Sequence, residues 1–159
     1  MKLDGRVVSS TYIRTLIERG DMEQAARFLG HPHTLSDTVR SGYHLGSKLG
    51  APTINMFFPD GVLEPRHGVY AARVFLENGE SYMAVTNVGV RPTVSAGNRV
   101  SVESHLLDYE GNLYGRQARV EFHAFLRDEL RFEDMAALSA QIRRDADAAR
   151  AWFMAHPGL

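Results

Sequence analysis

Val69-Tyr70-Ala71-Ala72-Arg73-Val74-Phe75-Leu76-Glu77-Asn78-Gly79-Glu80-Ser81-Tyr82-Met83-Ala84-Val85-Thr86-Asn87-Val88 is the most telling stretch of this chain. Two runs rich in β-branched and aromatic residues flank Asn78-Gly79, a dipeptide that readily takes up the positive φ of a tight hairpin. The pattern predicts strands over Val69–Leu76 and Tyr82–Val88, paired antiparallel. Outward from this hairpin, alternation predicts further strands near Leu35–Ser41, Thr53–Phe58, Arg99–Leu107 and Gln117–Phe125. Pro59-Asp60-Gly61, Ser95-Ala96-Gly97-Asn98 and Glu110-Gly111-Asn112 separate them as turns. No strand–helix alternation supports a doubly wound sheet. The expected fold is mainly β: a small six-stranded antiparallel barrel of Greek-key type.

Both ends read as helix. Ser9-Ser10-Thr11 offers hydroxyl caps, and Ile13, Leu16 and Ile17 then recur at helical spacing until Gly20. Asp21 with Gln24 resembles a capping box for a second short helix, Met22 to Leu29, closed by Gly30 with Pro32 beyond. At the other end Met135, Leu138, Ile142, Ala149, Trp152 and Phe153 fall on one face of a long helix. Such a helix is long enough to lie across the barrel and cover an opening.

The 159 residues are 44% hydrophobic and 23% charged, the balance of one globular domain. Lys and Arg number 18 against 19 Asp and Glu, a net charge of -1. That near-neutral balance gives no footprint for nucleic acid or for a polybasic membrane anchor. Without cysteine, disulfides, thiolate metal sites and cysteine nucleophiles are ruled out. No apolar run approaches a membrane span and Met1–Gly5 has no signal-peptide core, so the expected location is the cytoplasm.

Two segments carry polar chemistry. Gly42-Tyr43-His44-Leu45-Gly46-Ser47-Lys48-Leu49-Gly50-Ala51-Pro52-Thr53-Ile54-Asn55 has three glycines spaced by four, which suits either a turn-rich connection or a loop that approaches a ligand closely. It is neither a Walker loop nor a dinucleotide fingerprint. Thr53 and Asn55 share one strand face, where a hydroxyl and an amide can reach phosphate oxygens or a metal ion. In Ser101–Gly115, Glu103 and His105 share one face while Val100, Val102 and Leu106 share the other. Glu103 is then either a solvated charge or a carboxylate placed to take a proton from an alcohol. Spacing does not choose between them.

Together the segments resemble the riboflavin kinase (flavokinase) family, most closely the C-terminal kinase module of bacterial bifunctional riboflavin kinase/FAD synthetases. The matches are Gly42-x-x-x-Gly46 leading to Leu49-Gly50-x-Pro52-Thr53-Ile54-Asn55, then Gly68-Val69-Tyr70 and Asn87-Val88-Gly89-Val90-Arg91-Pro92-Thr93. Glu103-x-His105-Leu106-Leu107-Asp108, Leu113-Tyr114-Gly115 and Phe125-Leu126-Arg127 follow, with the helix beginning near Phe132. The ordered set runs from about Gly30 to Phe153. Ser47, Ala51 and Ile54 depart from the family's Arg, Phe and Ala. Val8-Ser9-Ser10-Thr11-Tyr12-Ile13-Arg14 resembles the end of the family's adenylyltransferase domain, although Ser9 and Ser10 read more simply as helix caps. The His-x-Gly-His element of that domain is absent from this sequence. Residues 1–30 are therefore expected to be a helical remnant of a preceding adenylyltransferase domain or a linker, and 31–159 the kinase domain. FMN but no FAD is the expected product.

The resemblance implies transfer of the γ-phosphoryl of ATP to the ribityl 5′-hydroxyl of riboflavin, with Mg²⁺, giving FMN and ADP. It implies Glu103 as the base, Thr53 and Asn55 as holders of the metal–nucleotide complex, and Gly42, Gly46 and Pro52 in the phosphate loop. Asn87, Arg91 and Arg127 match family positions near the site, their plainer readings being a turn amide and solvated or ion-paired arginines. His31-x-His33 reads as surface histidines, and His105 as a packing or hydrogen-bonding residue. A non-catalytic flavin-binding barrel is the competing reading, disfavoured by the joint presence of Thr53, Asn55 and Glu103. An oligonucleotide-binding barrel would need a basic groove with stacking aromatics, which the composition does not support.

Overall fold

The computed structural model describes residues 2–3, 6–7, 9–39, 53–59, 62–93, 97–109, 113 and 115–158, with backbone alone at 2–3, 6–7, 91–93 and 97–99. A two-residue pair, β1 (Lys2–Leu3) with β2 (Arg6–Val7), precedes helices α1 (Ser10–Glu18) and α2 (Met22–Leu29). β3 (His33–Thr38), β4 (Thr53–Phe57), β5 (Gly68–Leu76), β6 (Ser81–Thr93), β7 (Gly97–Leu106) and β8 (Gln117–Arg127) follow, then helix α3 (Met135–Ala155). The six longer strands form one antiparallel sheet in the order β3-β8-β5-β6-β7-β4. β5, β6 and β7 meander, and β8 returns beside β5, which is a Greek key. The sheet curls so that edge strands β3 and β4 approach each other, yet no ladder joins them among the described residues.

The hairpin forms where Asn78-Gly79 predicts it. Gly79 N–H donates to the Leu76 carbonyl at 3.0 Å, Gly79 takes φ +91°, and Leu76 N–H closes onto the Glu80 carbonyl at 2.9 Å. That is a type I turn followed by a left-handed glycine, the usual three-residue hairpin. β6 runs five residues past Val88, because its ladder with β7 continues through Gly89↔Ser101 to Thr93↔Gly97. Glycine and proline read locally as strand ends, but β6 pairs straight through them. β8 carries two register shifts against β5, which leave His123 and Leu126 as extra residues. The bulges break strict alternation, so Phe122 and Phe125 both reach the inner face.

Two cores lie on opposite faces of the sheet. The inner one gathers Ile54, Met56, Tyr70, Val74, Val88, Val102, Val120 and Phe122, together with Leu16, Ile17, Met22 and Ala25 from α1 and α2. The helix caps are those the sequence implies: Ser9 accepts from Tyr12 N–H at 3.1 Å and Asp21 from Gln24 N–H at 3.2 Å, while Gly30 ends α2 at φ +83°. The α1–α2 pair is tied down by Arg66, whose N–H donates to the Ile17 carbonyl and whose guanidinium lies over Phe125. The outer core packs Ala149 and Phe153 of α3 on Val69, Ala71, Val85, Leu107 and Ala124. Thus α3 covers the outer face of β5, β6 and β8. Its buried positions differ from the expected stripe in two ways. Met135 is 47% exposed, and Asp145 lies on the buried face.

Candidate active site

The β registers bring the expected residues into one row. Reading across five strands on the outer face, Arg127 pairs with Val69, Val69 with Asn87, Asn87 with Glu103 and Glu103 with Asn55. Directly opposed side chains on neighbouring strands sit about 4.5–5.5 Å apart at Cβ. Glu103 therefore stands between two asparagines, Asn55 on the edge strand β4 and Asn87 on β6. Asn55 and Glu103 are buried, at 7% and 9% exposure, so the carboxylate is not the solvated charge of the alternative reading.

A second row flanks the first. Thr53 pairs with His105, and Thr53 Oγ1 lies 2.9 Å from His105 Nδ1. Burial holds the His105 imidazole down to about 4, against a smaller opposing pull from the Asp145 carboxylate, so the ring is neutral at physiological pH. Its other nitrogen lies 4.0 Å from Glu103 Oε1. His105 is thus a hydrogen-bonding residue behind Thr53. On the opposite face of the sheet, Thr86 and Ser104 share a hydroxyl–hydroxyl bond of 2.8 Å in full burial.

Two buried polar atoms in the row have no hydrogen-bond partner among the described residues: Asn55 Nδ2, a donor, and Asn87 Oδ1, an acceptor. Native structures leave few such atoms unpaired, so a pair flanking one carboxylate points to a ligand. Beyond Asn87 on β6, Gly89 lies beneath the Glu129 carboxylate, and any Cβ there would run into it. The atoms in the way are the far end of the flexible Glu129 side chain, which can swing aside, so this approach does not by itself demand glycine.

Arg127 is an ion-paired arginine. Its Nε and Nη2 donate to the two Asp145 oxygens at 2.8 and 2.7 Å, and Gln141 Nε2 adds a 2.9 Å bond to Oδ1. Asp145 and Gln141 went unforeseen in the sequence. The only local trace is a charge four residues before Ala149 on the buried stripe of α3. Gly42, Gly46 and Pro52, with the whole loop they define, lie outside the described residues, and of Arg91 only the backbone is described. His31 is exposed, but His33 is half-buried and packs against Phe122, so the surface reading holds for only the first. Among the described residues no group of three or more His, Asp or Glu forms a metal site.

Residues 29–153 match the family model for riboflavin kinase, the flavokinase domain. The chain belongs to the riboflavin kinase family. It is 41% identical over 151 residues to the bifunctional riboflavin kinase/FMN adenylyltransferase of Pseudomonas fluorescens, covering 95% of this chain and 48% of that protein. With the protein of the same name from Escherichia coli K12 it shares 40% identity over 146 residues, covering 92% and 46%. The chain thus spans about half the length of the curated relatives it matches. Among solved structures, a Streptococcus pneumoniae protein named as a macrolide-efflux protein superposes at TM-score 0.86 with 28% identity, over 96% of this chain and 49% of that one. No described helix of this riboflavin kinase family member is long and apolar enough to cross a membrane. The riboflavin kinase of Trypanosoma brucei shares the fold at TM-score 0.56 and 23% identity, over 76% of this chain and 79% of that one.

Proposed function

We propose that this domain transfers the γ-phosphoryl of ATP to the ribityl 5′-hydroxyl of riboflavin, giving FMN and ADP. The observation that carries this is the buried Glu103 between Asn55 and Asn87, with Thr53 one row away, on a riboflavin kinase domain. Phosphoryl transfer asks for positioning and charge stabilisation more than covalent chemistry from the protein. A primary alcohol is a weak nucleophile. Glu103 takes its proton as the phosphorus–oxygen bond forms, a step worth about 10²–10⁴-fold.

The nucleotide side falls to β4. Asn55 Nδ2, an unpaired donor, suits a phosphate oxygen, and the Thr53 hydroxyl is held in place by neutral His105. The donor set also fits Mg²⁺, because hydroxyl and amide oxygens are hard ligands and this ion keeps waters and phosphate oxygens for the rest of its shell. Thr53 and Asn55 would hold it, and when bound it neutralises charge on the transferring phosphoryl group. Gly42, Gly46 and Pro52 are assigned to the phosphate loop and Arg91 to the site on the family pattern. Arg127 serves by anchoring α3 through Asp145 at the end of the row. Residues 1–30 are assigned as a helical remnant of an adenylyltransferase domain or a linker, and 31–159 as the kinase domain.

The experiment is riboflavin-dependent release of ADP from ATP and Mg²⁺, with FMN identified by chromatography. Equimolar FMN and ADP are expected. Riboflavin binding with no ADP would support the non-catalytic flavin-binding reading instead.

A further inference from the structure

A single imidazole stands behind both the hydroxyl of β4 and the carboxylate of β7. His105 pairs across the sheet with Thr53 on β4 and with Val85 on β6. Its side chain is 14% exposed, and Nδ1 lies 2.9 Å from Thr53 Oγ1, a bond that fixes which way round the ring sits. Nε2 then faces Glu103 Oε1 at 4.0 Å. A neutral imidazole carries one N–H and one lone pair, so its two nitrogens have opposite roles. We propose that His105 is a positioning residue: it keeps its proton on Nε2 and accepts the Thr53 hydroxyl hydrogen on Nδ1, so that Thr53 presents lone pairs, not a proton, to the site.

This inference rests on the kinase reading above and adds to it what gives the β4 hydroxyl its sense. Glu103 decides the tautomer. An N–H aimed at its carboxylate is attracted and a lone pair aimed there is repelled, in a shielded place where such differences are larger than in water. The other carboxylate that acts on the ring, Asp145, is committed to Arg127 by bonds of 2.8 and 2.7 Å. With Nδ1 unprotonated, its contact with Thr53 is Oγ1–H donating to Nδ1. Thr53 has then spent its one hydrogen and keeps both lone pairs. That suits a divalent cation and gives a phosphate oxygen nothing to bond. In the other tautomer Thr53 would accept from Nδ1–H and turn its own hydrogen outwards, which suits a phosphate oxygen and competes with a cation. Losing a partner that orients a metal ligand costs about 10–100-fold in metal affinity.

The test uses the full chain and two readouts that need no turnover. The first is nitrogen NMR of isotope-labelled histidine in the wild type, with the His105 signals assigned by their disappearance in His105→Asn. Nδ1 is expected unprotonated and Nε2 protonated. The second is titration with ADP, with and without Mg²⁺. His105→Leu and His105→Asn have nearly the same shape, but only Asn puts an acceptor oxygen where Nδ1 stood. In His105→Leu the gain that Mg²⁺ adds to ADP binding should shrink by about tenfold or vanish, with metal-free ADP bound no more weakly than by wild type. His105→Asn should keep most of the gain; melting curves on both variants establish that they fold. A protonated Nδ1, an even mixture of tautomers, equal losses in the two variants, or a wild type whose ADP affinity ignores Mg²⁺ overturns this inference alone. A wild type that binds no ADP under either condition and forms no FMN overturns the kinase reading and this inference with it.

Discussion

Asp145→Ala removes one half of a shielded ion pair, and the structure gives the scale of the loss. The Arg127 and Asp145 side chains are 22% and 8% exposed, joined by two charge-assisted bonds of 2.8 and 2.7 Å with a third from Gln141 at 2.9 Å. Truncating one partner of a buried pair costs about 3–5 kcal/mol, mostly because the other charge is left uncompensated. Arg127 keeps some contact with water and a 2.9 Å bond to the Asp128 carbonyl, so the lower end, about 3 kcal/mol, applies. For a domain of this size that is a fall in melting temperature of roughly 6–12 °C. Urea denaturation at constant m-value is the assay, since a shifted midpoint at unchanged slope isolates stability. The apolar pair Arg127→Met with Asp145→Leu should stay within about 1 kcal/mol of wild type, because it removes both charges together. A single-variant loss below about 1 kcal/mol would refute the view that this pair fastens α3 to the sheet.

Three other outcomes are expected. Leu16→Ala, at a position 2% exposed in the inner core, should cost roughly 3–5 kcal/mol in the same assay; a loss of a few tenths would mean that the α1–α2 hairpin is a loose appendage. Burial holds His105 down to about 4, so its share of the stability is full above about pH 6.5 and is lost as pH drops towards 4, about 3 kcal/mol; burial also holds down His33 and His123, so His105→Asn should lessen the slope of urea midpoints against pH without removing it. Thr53→Ala should lower turnover far more than the melting temperature, and a parallel loss of both would make Thr53 purely structural.

Local features were legible in the sequence because they have local causes. The Asn78-Gly79 turn, the caps at Ser9, Asp21 and Gly30, and the strand parity that puts Thr53 with Asn55 and Glu103 with His105 are all settled within a few residues. The meeting of those two pairs is different in kind. Asn55 and Glu103 face each other only through the β4–β7 register, and Asn87 joins them only through β6–β7. Family motifs indicated that these residues belong together, but spacing alone did not. Asp145 escaped notice because its partner lies on another element, and a carboxylate amid apolar helix positions reads as solvated until Arg127 is seen beneath it. The bulges at His123 and Leu126 escaped for the opposite reason: they break the alternation from which strands are recognised.

The central claim is that Glu103 removes the proton from the alcohol that attacks ATP. Glu103→Gln keeps the shape and the neighbours while losing the basicity, so it isolates that role. The measurement is the single-turnover rate of FMN formation by the variant, alongside flavin and nucleotide titrations on the same preparation. A fall in rate of roughly 10²–10⁴-fold with both affinities nearly preserved is the predicted result. Near-normal turnover, or a rate that falls only as far as binding does, would contradict it.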